Sequence, residues 1–340
     1  MNKKKRISID STIGGNGDIW MRLVSFYAIV GIKPDLCIEI KIPLFLRNLA
    51  QYTFGDRLII LDDDSSVEFH FTCLGIRDLL KGICSNKKYI APYHRSVIHD
   101  KRNREFKDKC NIAMFNIADF LGVIQVPDWA FIEKYQGYLD IIGIKKLRHI
   151  SYEQYEKQLH LDYNHIYSKL NNTIPVSPEL QIPKDFKQEV LVFPTGTSRQ
   201  FIPVWWAKKY LPNAYYAFFH KDKDALEFSN NGLNVVFFYK EPGDIIALSQ
   251  NAKWTVSTDS FPSHLLQFAT EKCTITITEV LKSRIIAPVF KGVVINAKAV
   301  CHPCIHLERK GNPLCMGGYT ECINWKNDMY STEIINSIPK

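Results

Sequence analysis

Short runs rich in β-branched residues alternate with longer stretches of helical period along most of this chain, the order a parallel sheet with crossover helices requires. "RISID" (Arg6 to Asp10) reads as a strand, and Asp18 to Val30 as a helix with Trp20, Leu23, Val24 and Tyr27 at helical spacing. "LCIEI" and "RLIIL" supply the next strands; "NIAMFNIADFLGVI", "DWAFIEKYQGYLDIIGI" and "SYEQYEKQLHLDYNHIYSKL" are helical. Periodicity stops at "NNTIPVSPELQIPKD" (Asn171 to Asp185), whose prolines mark a linker. The alternation then restarts through "EVLVF", a helix over Trp205 to Tyr210, "YYAFF", "NVVFFY", a helix from Asp244, "KWTVST", a helix from Pro262, and "CTITIT". The fold class expected is α/β: two Rossmann-like parallel-sheet domains, residues 1–175 and 176–340, facing across a cleft. Ligands of such sheets bind beyond the carboxyl ends of the strands, so function is sought in the loops that follow strands.

Composition narrows the picture without naming a chemistry. At 340 residues the chain suits two domains of common size, and 46% hydrophobic with 23% charged residues excludes a disordered or fibrous protein. No run of about 18 apolar residues occurs, and the first segment lacks the apolar core of a signal peptide, so a cytoplasmic chain is expected. The net charge of +8 favours anionic partners such as nucleotide diphosphates or a lipid surface, although part of it sits in the opening "MNKKKR". A nucleic-acid role would need basic residues interleaved with aromatics, and the chain offers only the isolated basic stretch from Arg95 to Lys109, so no nucleic-acid partner is expected. Reduced cysteines are expected in that compartment. Cys37, Cys73, Cys84, Cys110 and Cys273 lie in apolar surroundings and read as core thiols.

Four segments carry candidate chemistry. In "STIGGNGDIW" three glycines and Asp18 stand between the first strand and its helix. A dinucleotide fingerprint would place a third glycine where Trp20 stands, which argues against a nicotinamide-dependent oxidoreductase. A carboxylate at this turn would repel a docked pyrophosphate, whereas the positive end of the helix stabilises negative charge there. Asp18, presented by Gly15 and Gly17, therefore suits a general base, or else is an ordinary helix cap. The second segment, Thr195, Gly196, Thr197, Ser198 and Arg199, follows a strand with hydroxyls, amides and a guanidinium but no carboxylate, which suits a diphosphate; it could equally cap a helix. The third holds Asp259, Ser260, Ser263 and His264 at another strand end, where an acid can grip sugar hydroxyls or simply start a helix, with Pro262 in its first turn. In the fourth, Cys301, Cys304, Cys315 and Cys322 have the ligand count and spacing of a structural zinc or iron site; four reduced thiols or two disulfides are the alternatives.

Taken in order, "GGNGDIWM", "FPTGTSRQFIPVWW", "DSFPSHLLQF" and the closing four-cysteine region resemble glycosyltransferase family nine, the heptosyltransferase family with the two-domain GT-B fold. The resemblance runs from Ile7 to Ile323, with nothing to match between Asp62 and Asn171. It implies inverting transfer of a sugar, heptose or a relative, from a nucleotide-diphosphate donor to a glycan, glycolipid or protein acceptor, as in lipopolysaccharide biosynthesis, with no catalytic metal. Asp18 falls on the family's base, Thr197 and Ser198 on its phosphate-binding stretch, and Asp259, Ser260 and His264 on its donor-binding pattern. Phe261 stands where the family has glycine, and Ile202 and Pro203 occupy the region of an expected lysine, a role left to Arg199. These departures leave room for a catalytically weak, nucleotide-sugar-binding or regulatory protein of the same fold. The four-cysteine loop recurs in heptosyltransferases that modify proteins, with bound iron. Lys101, Arg102 and Arg104 would face an anionic acceptor on the first domain, placing the protein peripherally at a membrane surface, or form a solvated loop.

Overall fold

A computed structural model describes residues 5–71, 88–90, 124–125, 150–172, 174–196, 202–277, 285–296 and 331–339. The chain divides into two compact units, Met1–His165 and Ile166–Lys340. The division falls inside a helix and not in the proline-bearing stretch, because that helix's last residues are bonded within the second unit. The Asn171 side-chain amide donates to Ala269 O (3.1 Å), and Gln250 Nε2 donates to Leu170 O (3.2 Å) and Asn171 Oδ1 (3.0 Å). Helical period carries no trace of such a division.

The first unit holds strands β1 (Lys5–Asp10), β2 (Leu36–Lys41), β3 (Leu58–Leu61), β4 (Phe69–Phe71), β5 (Lys88–Ile90) and β6 (Ile124–Gln125), all parallel, in the spatial order β3-β2-β1-β4-β5-β6. Helix α1 (Asn16–Ile32) is buried on every side from Ile19 to Val30, a stretch that is apolar but for Arg22 and Ser25. Trp20, at the position a dinucleotide site would reserve for glycine, is fully buried with its ring 5.1 Å from that of Phe54. Phe54 ends α2 (Leu44–Phe54), a helix absent from the sequence reading although its buried Leu46, Leu49, Ala50, Thr53 and Phe54 keep helical spacing. Helix α3 (Tyr152–Asn171) completes the described part. The helical segments expected at 111–124 and 128–144 lie outside the described residues except Ile124, which is in β6 and not in a helix because it pairs with Tyr89 of β5; Cys73, Cys84 and Cys110 also lie outside them.

The second unit repeats the plan with β7 (Val190–Phe193), β8 (Tyr215–Phe219), β9 (Asn234–Tyr239), β10 (Trp254–Thr258), β11 (Cys273–Ile277) and β12 (Val293–Asn296), parallel, in the order β12-β11-β10-β7-β8-β9. Helices α4 (Val204–Tyr210), α5 (Asp224–Asn230), α6 (Pro242–Asn251), α7 (Phe261–Leu266) and α8 (Ser331–Ser337) connect or follow these strands. One side of the sheet packs Trp206, Phe218, Phe228, Val256 and Ile334 into a common core. The buried Asp244 carboxylate pins residue 177 to the start of α6: it accepts hydrogen bonds from the amide (2.7 Å) and hydroxyl (2.9 Å) of Ser177 and from the amides of Lys240 (2.8 Å) and Glu241 (3.0 Å). Cys273 is the core thiol expected, burial pushing its titration up; Cys37 is only half-buried.

In each sheet the strand order reverses at one place, between β1 and β4 in the first unit and between β7 and β10 in the second. In parallel sheets such reversals mark the crevice at the carboxyl edge where ligands bind.

Candidate functional site

Both crevices are bordered by segments the sequence nominated. In the first unit, Ser11 to Gly15 leaves β1 and enters α1. Helix α1 begins at Asn16 with Gly15 as its N-cap, so Asp18 is the third helical residue and not the first. Its Oδ2 accepts the Gly15 amide hydrogen at 3.0 Å, which orients the carboxylate and satisfies one amide of the helix start. The bond is that of a helix cap, one of the two readings the sequence left open for Asp18. Gly17 is buried in the first turn, and Gly14 adopts φ +110°, a conformation that costs an L-residue strain.

Around this turn stand three ionisable side chains with no sequence motif to mark them. Asp10, the last residue of β1, accepts through Oδ1 from both the amide (3.0 Å) and the hydroxyl (2.6 Å) of Thr12, and its Oδ2 lies 3.4 Å from His70 Nδ1 at the middle of β4. Burial alone would raise the Asp10 carboxyl, but the Thr12 bonds and the neighbouring His70 outweigh it and hold the group below the usual carboxylate range. Arg22, 1% exposed, lies beneath the turn, its Nη1 donating to Ile13 O (2.6 Å) and Ser11 Oγ (3.2 Å). Asp10 was visible as a strand-ending acid before a glycine turn; His70 was not, because only the β1·β4 pairing brings it there.

In the second unit the loop after β7 is closed at its base by the Ile202 amide donating to Pro194 O (2.8 Å). Thr195 and Gly196 lie on it, half-buried; Thr197, Ser198 and Arg199 fall outside the described residues. The Thr195 hydroxyl donates to Asp222 Oδ2 (2.6 Å) just beyond β8, so its proton is already committed. Asp222 Oδ1 in turn accepts the Asp224 amide (3.0 Å). Asp222 and His220, whose Nδ1 is buried with no hydrogen-bond partner among the described residues, were also missed; a loop between two aromatic strands gave no motif to find them by.

After β10, Ser260 is the N-cap of α7, with Pro262 in the first turn as its fixed φ favours. The Ser260 amide donates to Ser263 Oγ (3.1 Å), Ser263 Oγ donates back to Ser260 O (2.8 Å), and Ser260 Oγ donates to Thr258 O (3.2 Å). Both hydroxyl protons therefore serve the cap, so neither serine offers a proton to an anion in this arrangement. His264, 5% exposed, faces Asp259 Oδ1 through Nε2 at 3.2 Å, while its Nδ1 is buried with no hydrogen-bond partner among the described residues. Such an orphaned ring nitrogen is costly unless a ligand meets it.

Lys101, Arg102, Arg104 and the four cysteines Cys301, Cys304, Cys315 and Cys322 lie outside the described residues. Among the described residues no group of three or more His, Cys, Asp or Glu side chains is arranged to hold a metal ion, and no helix is long and apolar enough to cross a membrane.

No protein-family model matches the chain, and no curated protein matches it. Among solved structures it is similar to E. coli heptosyltransferase WaaC with ADP, at 10% identity and a TM-score of 0.50 over 86% of this chain and 93% of that one. It is also similar to the glycosyl transferase family 9 protein from Veillonella parvula DSM 2008 (11% identity, TM-score 0.48, 98% of each chain). A third similarity is to E. coli ADP-heptose lps heptosyltransferase II (11%, 0.48, 94% of this chain and 98% of that one). At such identities what is shared with the first of these is architecture, and the chain has the α/β fold of two parallel-sheet units found in GT-B glycosyltransferases.

Proposed function

We propose that this protein is an inverting glycosyltransferase that moves a sugar, heptose or a relative, from a nucleotide-diphosphate donor to a hydroxyl of a glycan, glycolipid or protein acceptor. One observation carries the reading: the three loops nominated from sequence, around Asp18, Thr195 and Asp259, border the strand-order reversals of the two sheets, where parallel sheets bind ligands. The acid-bearing loop lies on one unit and the loop suited to a diphosphate on the other, the division of labour a two-substrate transfer needs.

In this reading the acceptor oxygen attacks the anomeric carbon while Asp18 takes its proton. The carbon–oxygen bond to the diphosphate breaks with its electron pair leaving on phosphate. One displacement inverts the anomeric configuration. General-base assistance of this kind is worth about two to four orders of magnitude. Because the protons of Thr195, Ser260 and Ser263 are committed inside the protein, charge on the departing phosphate falls to backbone amides of the loop after β7, to Arg199, and to His264 Nδ1. Asp259 accepts from the other ring nitrogen, Nε2, and orients the imidazole, whose Nδ1 donates to the phosphate when the ring carries both protons. Phe261 at the first turn of α7 narrows the donor's surroundings. Lys101, Arg102 and Arg104 would draw an anionic acceptor such as a phosphorylated glycolipid towards the first unit, with the enzyme peripheral to a membrane surface on its cytoplasmic side. No metal takes part in the step; a zinc or iron ion on Cys301, Cys304, Cys315 and Cys322 would clamp their loop, four thiolates leaving no open position.

A second reading, a nucleotide-sugar-binding protein without turnover, is favoured by one observation, the use of the Asp18 carboxylate as a capping acceptor. Calorimetric titration with ADP-, GDP-, UDP- and dTDP-sugars, followed by a nucleoside-diphosphate release assay, separates the two. Binding with release supports the transferase, binding without release supports the second reading, and no binding to any of the four removes both.

A further inference from the structure

The most unusual side chain near the candidate base is Arg22, a cation that is 1% exposed and lies on α1, four residues and one helical turn beyond Asp18. A buried guanidinium is costly unless its donors are met. Two of them are met from the turn that carries the site: Nη1 donates to Ile13 O and Ser11 Oγ. The guanidinium also lies over the Phe71 ring of β4, its carbon 4.2 Å from the ring centre, so the same group links the Ser11–Gly15 turn to the neighbouring strand.

The turn passes this constraint directly to Asp18. A Cβ on Gly14 would stand 3.2 Å from Arg22 Nη2 and 3.4 Å from both Cβ and Oδ2 of Asp18, so guanidinium and carboxylate both lie against the same glycine. The next peptide, the amide of Gly15, holds Asp18 Oδ2. Ile13 O fixed by Arg22 fixes Gly14, Gly14 fixes the Gly15 amide, and that amide fixes the carboxylate. A lysine has one nitrogen and no planar fork, and does not hold a carbonyl and a hydroxyl while stacking on a ring. An apolar side chain would fill the volume and hold nothing.

We infer that Arg22 is the positioning residue of the base, setting the Ser11–Gly15 turn so that the Asp18 carboxylate meets the acceptor hydroxyl; this rests on the reading of Asp18 as that base. Arg22 touches neither substrate, and its loss acts through geometry. Misplacing a reacting group by about 1 Å costs about a hundredfold in rate.

The test compares Arg22→Met, Arg22→Lys, Arg22→Ala and Asp18→Asn with the unaltered full chain. The substrate is whichever ADP-, GDP-, UDP- or dTDP-sugar the unaltered chain turns over, nucleoside diphosphate release gives kcat and donor KM, and thermal unfolding reports folding. Expected for Arg22→Met is a fall in kcat of about a hundredfold with donor KM within about twofold. Arg22→Lys does not restore kcat. Arg22→Ala regains turnover in guanidinium chloride at tens of millimolar and not in sodium chloride of equal ionic strength. If Arg22→Met fails to fold, Ser11→Ala, which removes one of the two acceptors, takes its place with a smaller loss in kcat at unchanged KM. Normal kcat in the folded Arg22 or Ser11 variants beside an inactive Asp18→Asn overturns the positioning role alone. Normal kcat in Asp18→Asn, or an unaltered chain that turns over none of the four sugars, overturns the base or the transferase itself and takes the inference with it.

Discussion

Asp18 caps the start of α1 and, in the proposed mechanism, serves as the base, two duties that a pair of substitutions pulls apart. Its Oδ2 receives the Gly15 amide at 3.0 Å, and losing an acceptor of this kind at a helix start costs about 0.5–2 kcal/mol. Removing the negative charge near the positive end of α1 costs a further 0.3–1 kcal/mol or so. Asp18→Ala loses both, and a unit of this size then melts roughly 2–10 °C lower. Asp18→Asn keeps an oxygen in the same place and loses only the charge, so its melting temperature falls by at most about 4 °C. As bases the two variants are equal: neither accepts the proton, and turnover falls by about two to four orders of magnitude, roughly 3–5 kcal/mol on the barrier. Nucleoside diphosphate release measured beside scanning calorimetry yields both columns of this comparison. An Asp18→Asn protein that turns over within threefold of the unaltered chain, with Asp18→Ala merely unstable, reduces Asp18 to a helix cap and refutes the reasoning.

Four further outcomes are expected. His264→Ala, which removes the buried Nδ1, weakens nucleotide-sugar binding by about ten- to a hundredfold in calorimetry, the scale of a hydrogen bond to a charged group; unchanged affinity would remove His264 from the donor site. Asp244→Ala leaves four donors around a buried gap and lowers stability by about 3–5 kcal/mol in denaturant titration; a loss under 1 kcal/mol would contradict the bonding described. Asp10, held below the ordinary carboxylate range by Thr12 and His70 against the effect of burial, stabilises the fold at pH values above its unfolded pKa and loses that contribution as pH falls through its lower folded value, below about pH 4. Asp10→Asn should therefore flatten the acid limb of the stability profile, and an unaltered limb would show the pair to be energetically idle. Thr195→Val leaves Asp222 without its hydroxyl donor and should shift donor affinity through the carboxylate; equal affinity in Thr195→Val and Thr195→Ser would show that the bond has no bearing on the donor.

The strands and most helices were legible in the chain because their β-branched runs and helical periods are local properties. Pro262, expected in the first turn of a helix, marked the start of α7, whose N-cap is Ser260. Helix α2 was just as local and was overlooked: Leu46, Leu49, Ala50, Thr53 and Phe54 spell its buried face, but exposed Leu44 and a start at Pro43 with no capping side chain blur its edge. What periodicity does not encode is who stands beside whom. His70 reaches Asp10 only through the β1·β4 pairing, Asp222 reaches Thr195 across adjacent strand ends, and Arg22 reads as one more polar residue on a helix until its carbonyl and hydroxyl partners are seen. The same holds for the serines after β10, whose identity suggests phosphate ligands while their bonds spend the protons on carbonyls.

The most direct trial of the account is a crystal structure of the protein soaked with the nucleotide sugar it binds in calorimetry. Density for the diphosphate is expected on the loop that follows β7, with His264 Nδ1 within about 3.2 Å of a phosphate oxygen and the sugar's anomeric carbon open to attack by a hydroxyl that Asp18 deprotonates. A nucleotide seated elsewhere, with His264 Nδ1 still unmet, would contradict it.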